Sequence, residues 1–399
     1  MTAAEETSAI PHQGYCALFL RFLRFGSLAW GGPVAQIAMI KRELVQEKRW
    51  ITPERFNRAL AVYQVLPGPE AHELCVYFGM LARGRLGGFL AGLGFMLPGF
   101  VLMFLLSGLY GASEGRVAAE WGPVFAALQA AVVALIVRAI HRIGAHAVHD
   151  RWLFALAVAS CVAGVAGVYF AISLALAGAF YSFLGKSQHL ACLGVGLAWV
   201  AAIVYCGLVP AARPVAEITL NGAAGPVSIP VLFYSGLRSG LLTFGGAYTV
   251  IPFLQKDAVV IGGWMTNAQF LDGLALSGIL PAPLIIFSTF VGFLGGGMLG
   301  ALVLTVGIFL PAFGFTLVAH DQLERLTRKE RLRRFLDGIT AGVVGLIGAT
   351  TIQLAPAALG STKAVAVFAV ALALLYLVKH KLNVLLVIGV AALAGQLFF

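Results

Sequence analysis

The sequence predicts an all-α polytopic membrane protein built from two homologous halves, an inverted-topology repeat with broken or re-entrant helices. Three observations predict it. First, of the 399 residues 60% are apolar and only 11% charged, against about a quarter charged in a soluble domain. Mean hydropathy is +0.92. Second, Arg24, Gly26, Gly31, Gly32, Trp50, Thr52, Phe56, Leu66, Pro67 and Pro69 recur without a gap as Arg238, Gly240, Gly245, Gly246, Trp264, Thr266, Phe270, Leu280, Pro281 and Pro283. After one dropped residue, Gly79, Gly84, Gly87, Pro98 and Phe100 match Gly292, Gly297, Gly300, Pro311 and Phe313. Third, the positive loops alternate in the opposite sense in the two halves.

Lipid cannot satisfy backbone polar groups, so continuously apolar runs such as 87–110 and 364–378 must be helices; a barrel would need alternating polar positions. In the first half the apolar runs fall at 15–38, 59–82, 87–110, 121–140, 152–166 and 168–185. In the second they fall at 231–255, 267–294, 298–319, 336–354, 364–378 and 382–398. A run at 190–208 has no partner, and the Pro/Gly-rich stretch 209–230 reads as a linker. The expected organisation is a first repeat over 1–189, a connecting helix and linker over 190–230, and a second repeat over 231–399.

Net charge is +10. In the first half it concentrates at Arg83/Arg85 and between Arg138 and Arg151; in the second it concentrates at Arg325–Arg334 and Lys379/Lys381. The counterparts of each of these loops are nearly uncharged, so the positive-inside rule orients the halves oppositely. This is orientation charge, and no basic face is offered to a nucleic acid. Loop 41–58 is also basic, which leaves two readings of 59–82: a segment that enters and returns with Pro67-Gly68-Pro69 at its tip, or a broken helix that spans. Inversion survives if 15–38 behaves like 59–82. The N-terminal residues show no cleavable signal peptide. Cys16, Cys75, Cys161, Cys192 and Cys206 have no metal or disulfide spacing, and His141, His146 and His149 lack carboxylate or thiol company, so no metal and no cofactor are expected.

Matched membrane halves interrupted by Gly and Pro at corresponding points are the sequence sign of a secondary transporter. A helix broken at mid-membrane exposes N–H groups and a positive dipole end, a site for an anion. The breaks are Gly31-Gly32-Pro33, Pro67-Gly68-Pro69, Gly245-Gly246 and Pro281-Ala282-Pro283, with Gln36 and Tyr248 beside them. Arg24 and Arg238 each lie two helical turns before a Gly-Gly pair, where they are expected to face the anion; snorkelling to the interface is the plainer role. Glu70 and His72 follow the Pro-Gly-Pro turn and are candidates for proton coupling, with N-capping as the plainer role of Glu70 and core packing that of His72. Glu73 is expected on a different helical face.

FGSLAWGGPVAQIAMIKRELVQEKRWI at 25–51, VLPGPEAHELCVYFG at 65–79, LLTFGGAYTVIPFLQKDAV at 241–259 and FVGFLGGGMLGALVLTVGIFLPAF at 290–313 resemble the signatures of the long-chain chromate ion transporter family. The resemblance implies oppositely oriented halves, a bacterial inner-membrane location, and chromate export from the cytoplasm driven by the proton motive force. It carries importance to Gly31, Gly32, Pro33, Pro67, Gly68 and Pro69. The chain departs from the pattern at Ala282 within the second Pro-Gly-Pro, at Ser277 where an acid is common, and at His72 where glutamine is common. The expected partners are chromate or a sulfate-like oxyanion, the bilayer, and a second copy if the protein is a homodimer. A sulfate carrier, an anion channel and an intramembrane enzyme stay open as alternatives.

Overall fold

The computed structural model describes residues 10, 13–64, 66–112, 116–184, 188–208, 227–244, 246–327, 329–378, 380 and 383–399. Gly245 and most of the 209–230 linker therefore lie outside the described residues. Side chains of 116–120, 189 and 319–328 are not described either.

Among the described residues the chain is helical. In the first half α1 (Tyr15–Ser27) ends in a turn where Gly31 and Gly32 both take left-handed backbone, φ 88° and 77°. Such angles are strained for any residue with a Cβ, so the Gly-Gly pair is what allows the chain to reverse. Pro33 then opens α2 (Gly32–Ile40), which widens into a π-helical turn over Lys41–Glu47. The reversal is fixed by Glu43, which accepts from both Arg21 (3.2 Å) and Arg24 (3.1 Å) of α1. The segment 15–47 is therefore a helical hairpin.

The next segment is a second hairpin. α3 (Pro53–Tyr63) begins at Thr52, whose hydroxyl accepts from the Arg55 N–H. An extended tip at Leu66–Pro69 leads into α4 (Glu70–Ala112). As one straight rod, α4 would be about 65 Å long, twice the ~30 Å hydrocarbon core. It is not straight: Arg83 (φ −149°, ψ 31°) and Gly84 (φ 63°, ψ −160°) fold it back on itself. The limbs touch through glycines, since a Cβ on Gly79 would overlap Ala91 and the Gly87 carbonyl. The limb Glu70–Ala82 is only ~20 Å long. It pairs with α3 through stacked Phe56/Phe78 and edge-on Tyr63/Tyr77. Segment 59–82 thus folds as a helical hairpin about the Leu66–Pro69 tip. The limb beyond Gly84 is long enough to cross.

α5 (Arg116–Ala147), α6 (Arg151–Ala166), α7 (Phe170–Leu184) and α8 (His189–Leu208) complete this part. Gly167 ends α6 in left-handed backbone, making α6 and α7 a helical hairpin.

The second half repeats the plan: α9 (Ile229–Leu241), a 3-10 turn Ala247–Val250, α10 (Ile251–Gln255), a π turn Lys256–Ile261 and α11 (Asn267–Ile279). A capping box joins Thr266 and Gln269 at the start of α11. A 3-10 turn Leu284–Phe287 then leads into α12 (Ser288–Thr327), which folds back at Gly296 (φ −155°, ψ 26°) and Gly297 (φ 61°, ψ −149°). These angles reproduce those of Arg83 and Gly84 within about 12°. α13 (Glu330–Ala358), α14 (Thr362–Leu377) and α15 (Asn383–Phe398) correspond to α5, α6 and α7; α8 has no counterpart.

Contacts within the halves match residue by residue. Gly26 of α1 lies against the Phe95 carbonyl, and Gly240 of α9 against the Ile308 carbonyl. Contacts between halves are exchanged: α5 packs on α14 and α15, while α13 packs on α6 and α7. Such reciprocal contacts are what a two-fold relation requires. One apolar core runs through both halves, from Met103 and Val132 to Phe253, Phe287 and Ile347.

Candidate functional site

The tips of the hairpins meet between the halves. Pro67 pairs with Phe244 in a single antiparallel bridge, and the Gly68 N–H donates to the Thr243 carbonyl at 2.9 Å. The Pro-Gly-Pro tip of the first half is thereby docked on the Gly-Gly tip of the second. Pro67, Gly68, Pro69, Gly246, Pro281, Ala282 and Pro283 are all buried.

Across this junction a small residue faces an alanine twice over. A Cβ on Gly68 would come within 3.1 Å of the Ala312 methyl, and a Cβ on Gly99 would overlap the Ala282 methyl. Gly68 and Ala282 are repeat equivalents, and so are Gly99 and Ala312. The two tips therefore make the same contact with glycine and alanine interchanged, which accounts for alanine in Pro281-Ala282-Pro283: the room its methyl needs is left by Gly99.

Beside the tips opens a cavity of about 440 Å³. Gly31, Val34 and Ala35 line it from the first half's hairpin and Tyr248 from the second half's. Arg138 and Arg142 of α5, and Tyr376 and His380 around the end of α14, close it. The Arg138 guanidinium lies 4.4 Å over the Tyr376 ring, and the Tyr376 hydroxyl is 2.5 Å from His141 Nδ1. Arg142 is close enough to act electrostatically on both Glu70 and Tyr248. Two guanidinium groups, two phenols and an imidazole in an otherwise largely apolar lining suit an anion with several acceptor oxygens.

The sequence-predicted residues fall into three groups. Gly31, Gly32, Pro33, Pro67, Gly68, Pro69, Gly246, Tyr248, Pro281 and Pro283 lie at the tips, and Gly31 and Tyr248 reach the cavity. Gln36, 1% exposed, braces the first tip by donating to the Ala29 carbonyl at 2.9 Å. Arg24 and Arg238 are instead held by carboxylates nineteen positions on. Arg24 bonds Glu43 with its side chain 64% exposed. Arg238 pairs with Asp257, donates to the Tyr169 hydroxyl at 3.1 Å and lies over Phe170, with 15% exposure. Asp257 also accepts from Ser235 at 2.6 Å. Both arginines brace a hairpin; neither lines the cavity.

Glu70 is half-buried near Arg142 and His146, and Gly246 lies beside it: a Cβ there would sit 3.8 Å from Glu70 Oε1. His72 is fully buried, its ring edge-on to Phe309 and Phe313 of α12. Glu73 is also fully buried, and the expectation of a different helical face is corrected. Three residues apart, Glu70 and Glu73 lie on adjoining turns within electrostatic reach.

Arg138 and Arg142 were not legible as site residues, because they read as part of a basic loop. Their signal was the i, i+4 spacing on a helix that continues the apolar run 121–140, which puts both on one face.

The sequence model of the chromate transporter family matches residues 16–186 and 231–396, one stretch in each half. The chain is 55% identical to the chromate transport protein of Pseudomonas aeruginosa, over all of this chain and 96% of that protein. It is 29% identical to the chromate transport protein of Cupriavidus metallidurans, over 99% and 96% of the two chains. A probable chromate transport protein of Synechococcus elongatus is 28% identical, over 95% and 94%. No solved structure matches. With a match in each half and a relative aligned from end to end, the chain belongs to the chromate transporter family.

Proposed function

We propose that this protein is a secondary transporter, not an enzyme, that exports chromate from the bacterial cytoplasm across the inner membrane at the expense of the proton gradient. The observation that carries the reading is the meeting of both halves' tips beside a cavity lined by Arg138 and Arg142. A dianion leaving water needs compensating charge and donors. The two guanidinium groups supply the charge, and the Tyr248 hydroxyl and the N–H groups at the tips of Gly31-Gly32 and Gly246 supply directed donors. Arg24 and Arg238 contribute by holding those tips in place.

The halves stand oppositely in the bilayer. Each re-entrant hairpin returns to the side it enters, so only the helices after Gly84 count: the second limb of α4, then α5 to α8. That is an odd number if α6 and α7 both cross or both fall short. An odd count starts the second half on the other side. α8 supplies the crossing without a counterpart.

The test is radiolabelled chromate flux in proteoliposomes, with sulfate as competitor and an imposed pH gradient. Saturable chromate flux that responds to the gradient is expected. Arg142→Ala should raise the half-saturating chromate concentration by about 10- to 100-fold, the ~1.5–3 kcal/mol of a hydrogen bond to a charged group. Exposed Arg331→Ala should leave it unchanged. Flux that sulfate drives equally well, at chromate's half-saturation, would make the protein a general carrier of divalent oxyanions.

A further inference from the structure

The limb behind the first tip carries two side chains that the anion site does not use. Both oxygens of Glu73, 0% exposed, lack a hydrogen-bond partner among the described residues. His72, also 0% exposed, has the Gly92 backbone of the second limb of α4 as its polar neighbour. An ionised carboxylate is not stable in such a place, whereas the neutral acid is. Position adds a second constraint. Glu73 lies directly behind the tip: a Cβ on Gly68 would come within 2.9 Å of Glu73 Cδ and Oε1. The Gly68 N–H is the donor that joins this tip to Thr243 of the other half.

The charged and titratable groups facing the pair are few. Glu70 stands one turn earlier on the same limb, His72 is adjacent, and Tyr77, one turn later, accepts from Arg55 of α3. Arg142 and His146 of α5 bear on Glu70, and Tyr248 of the second tip lies near Arg142. Among the described residues α12 presents Phe309 and Phe313 to His72 and Ala312 to the Gly68 tip. Glu70 is thus the half-buried carboxyl that neighbours both Glu73 and Arg142 of the cavity wall.

We propose, resting on the transport reading above, that Glu73 is the occluded proton carrier and Glu70 its relay to the cavity. In the conformation seen, Glu73 holds the proton as the neutral acid. When the tip moves, the Glu73 O–H bond breaks and the proton passes to a Glu70 oxygen, then to water in the cavity. The carboxylate left behind Gly68 is then buried without a partner, which strains the tip against Thr243 until a proton returns. The junction between halves is thus tied to the protonation of one side chain. This exchanges the roles that sequence position suggests, where Glu70 is the carrier.

Two measurements on the full-length protein test this. Infrared difference spectroscopy of the purified protein at neutral pH should show a protonated-carboxyl C=O band that is lost in Glu73→Gln and kept in Glu70→Gln. Absence of the band in the parent, or its persistence in Glu73→Gln, overturns the proposal. In proteoliposomes, Glu73→Gln should keep chromate–chromate counterflow within a few-fold of the parent but lose pH-driven accumulation. Glu73→Asp should recover part of it. Normal pH-driven accumulation by Glu73→Gln, or accumulation that follows an imposed sodium gradient instead, also overturns it. If the parent moves no chromate, the transport reading fails. The infrared result then still decides whether Glu73 holds a proton.

Discussion

The Gly99–Ala282 contact offers a sharp test of how the halves fit. Gly99→Ala places a methyl group on top of the Ala282 methyl, inside the ~3.5–4.0 Å at which carbons pack best by about 1 Å or more. The neighbour is a short side chain on an extended tip between two prolines, so it cannot rotate away and the backbone must shift. Overpacking of this kind costs about 1–3 kcal/mol. The compensating change is Ala282→Gly, which restores the Pro-Gly-Pro pattern of the other half and removes the methyl that clashes. Alone, Ala282→Gly leaves a methyl-sized gap and costs ~1 kcal/mol. Together the two should recover most of the loss, a coupling of about 1–3 kcal/mol in a double-mutant cycle. The assay is thermal unfolding of the four proteins in detergent, with chromate flux as a second readout. The mirror site behaves differently. Gly68→Ala is not rescued by Ala312→Gly, because the new methyl still meets Glu73 at 2.9 Å and φ at Gly68 is 156°. Additive effects of Gly99→Ala and Ala282→Gly would refute the exchanged packing.

Arg238→Ala should destabilise by about 3–5 kcal/mol, because it strands the buried Asp257 carboxylate; Arg24→Ala, whose side chain is 64% exposed, should cost no more than ~1 kcal/mol. Paired thermal unfolding curves check both. At the α5–α6 loop, partial burial pushes the Asp150 carboxyl up, but hydrogen bonds from the Leu153 N–H, the Tyr181 hydroxyl and the Trp152 N–H, with the charge of His149, hold it below 3.8. Its stabilising effect is therefore present above that value and lost as pH falls through the lower folded one, and Asp150→Ala should flatten that acid limb while removing a helix cap worth ~1 kcal/mol. In a cysteine-free background, Arg85→Cys and Met298→Cys, the exposed residues next to the Gly84 and Gly297 reversals, should label from opposite sides of the membrane; labelling from one side removes the inversion.

Much of the fold was legible because Gly and Pro carry it. The reversals at Gly31-Gly32, Gly84 and Gly297 need backbone that only glycine adopts freely, so the repeat in sequence is a repeat in geometry. The arginine roles were legible and passed over: Arg24 to Glu43 and Arg238 to Asp257 recur at the same separation with a carboxylate each time. The anion cavity was not legible. Arg142 reaches it only because α5 packs across to α14 and α15 of the other half, a contact that no local pattern encodes. Nor was Glu73, since its burial depends on the Gly68 tip folding back over it and on α12 packing against that tip through Ala312.

The central claim is that the anion passes where the tips of the two halves meet. Substituted-cysteine labelling measures this most directly. In a cysteine-free background, Tyr248→Cys and Ala35→Cys line the cavity from opposite halves, while Arg85→Cys is exposed and lies away from it. A small charged thiol reagent should modify all three, and chromate at saturating concentration should slow modification at Tyr248→Cys and Ala35→Cys several-fold while leaving Arg85→Cys unchanged. Equal rates with and without chromate at both cavity positions, in variants that still transport it, would contradict the account.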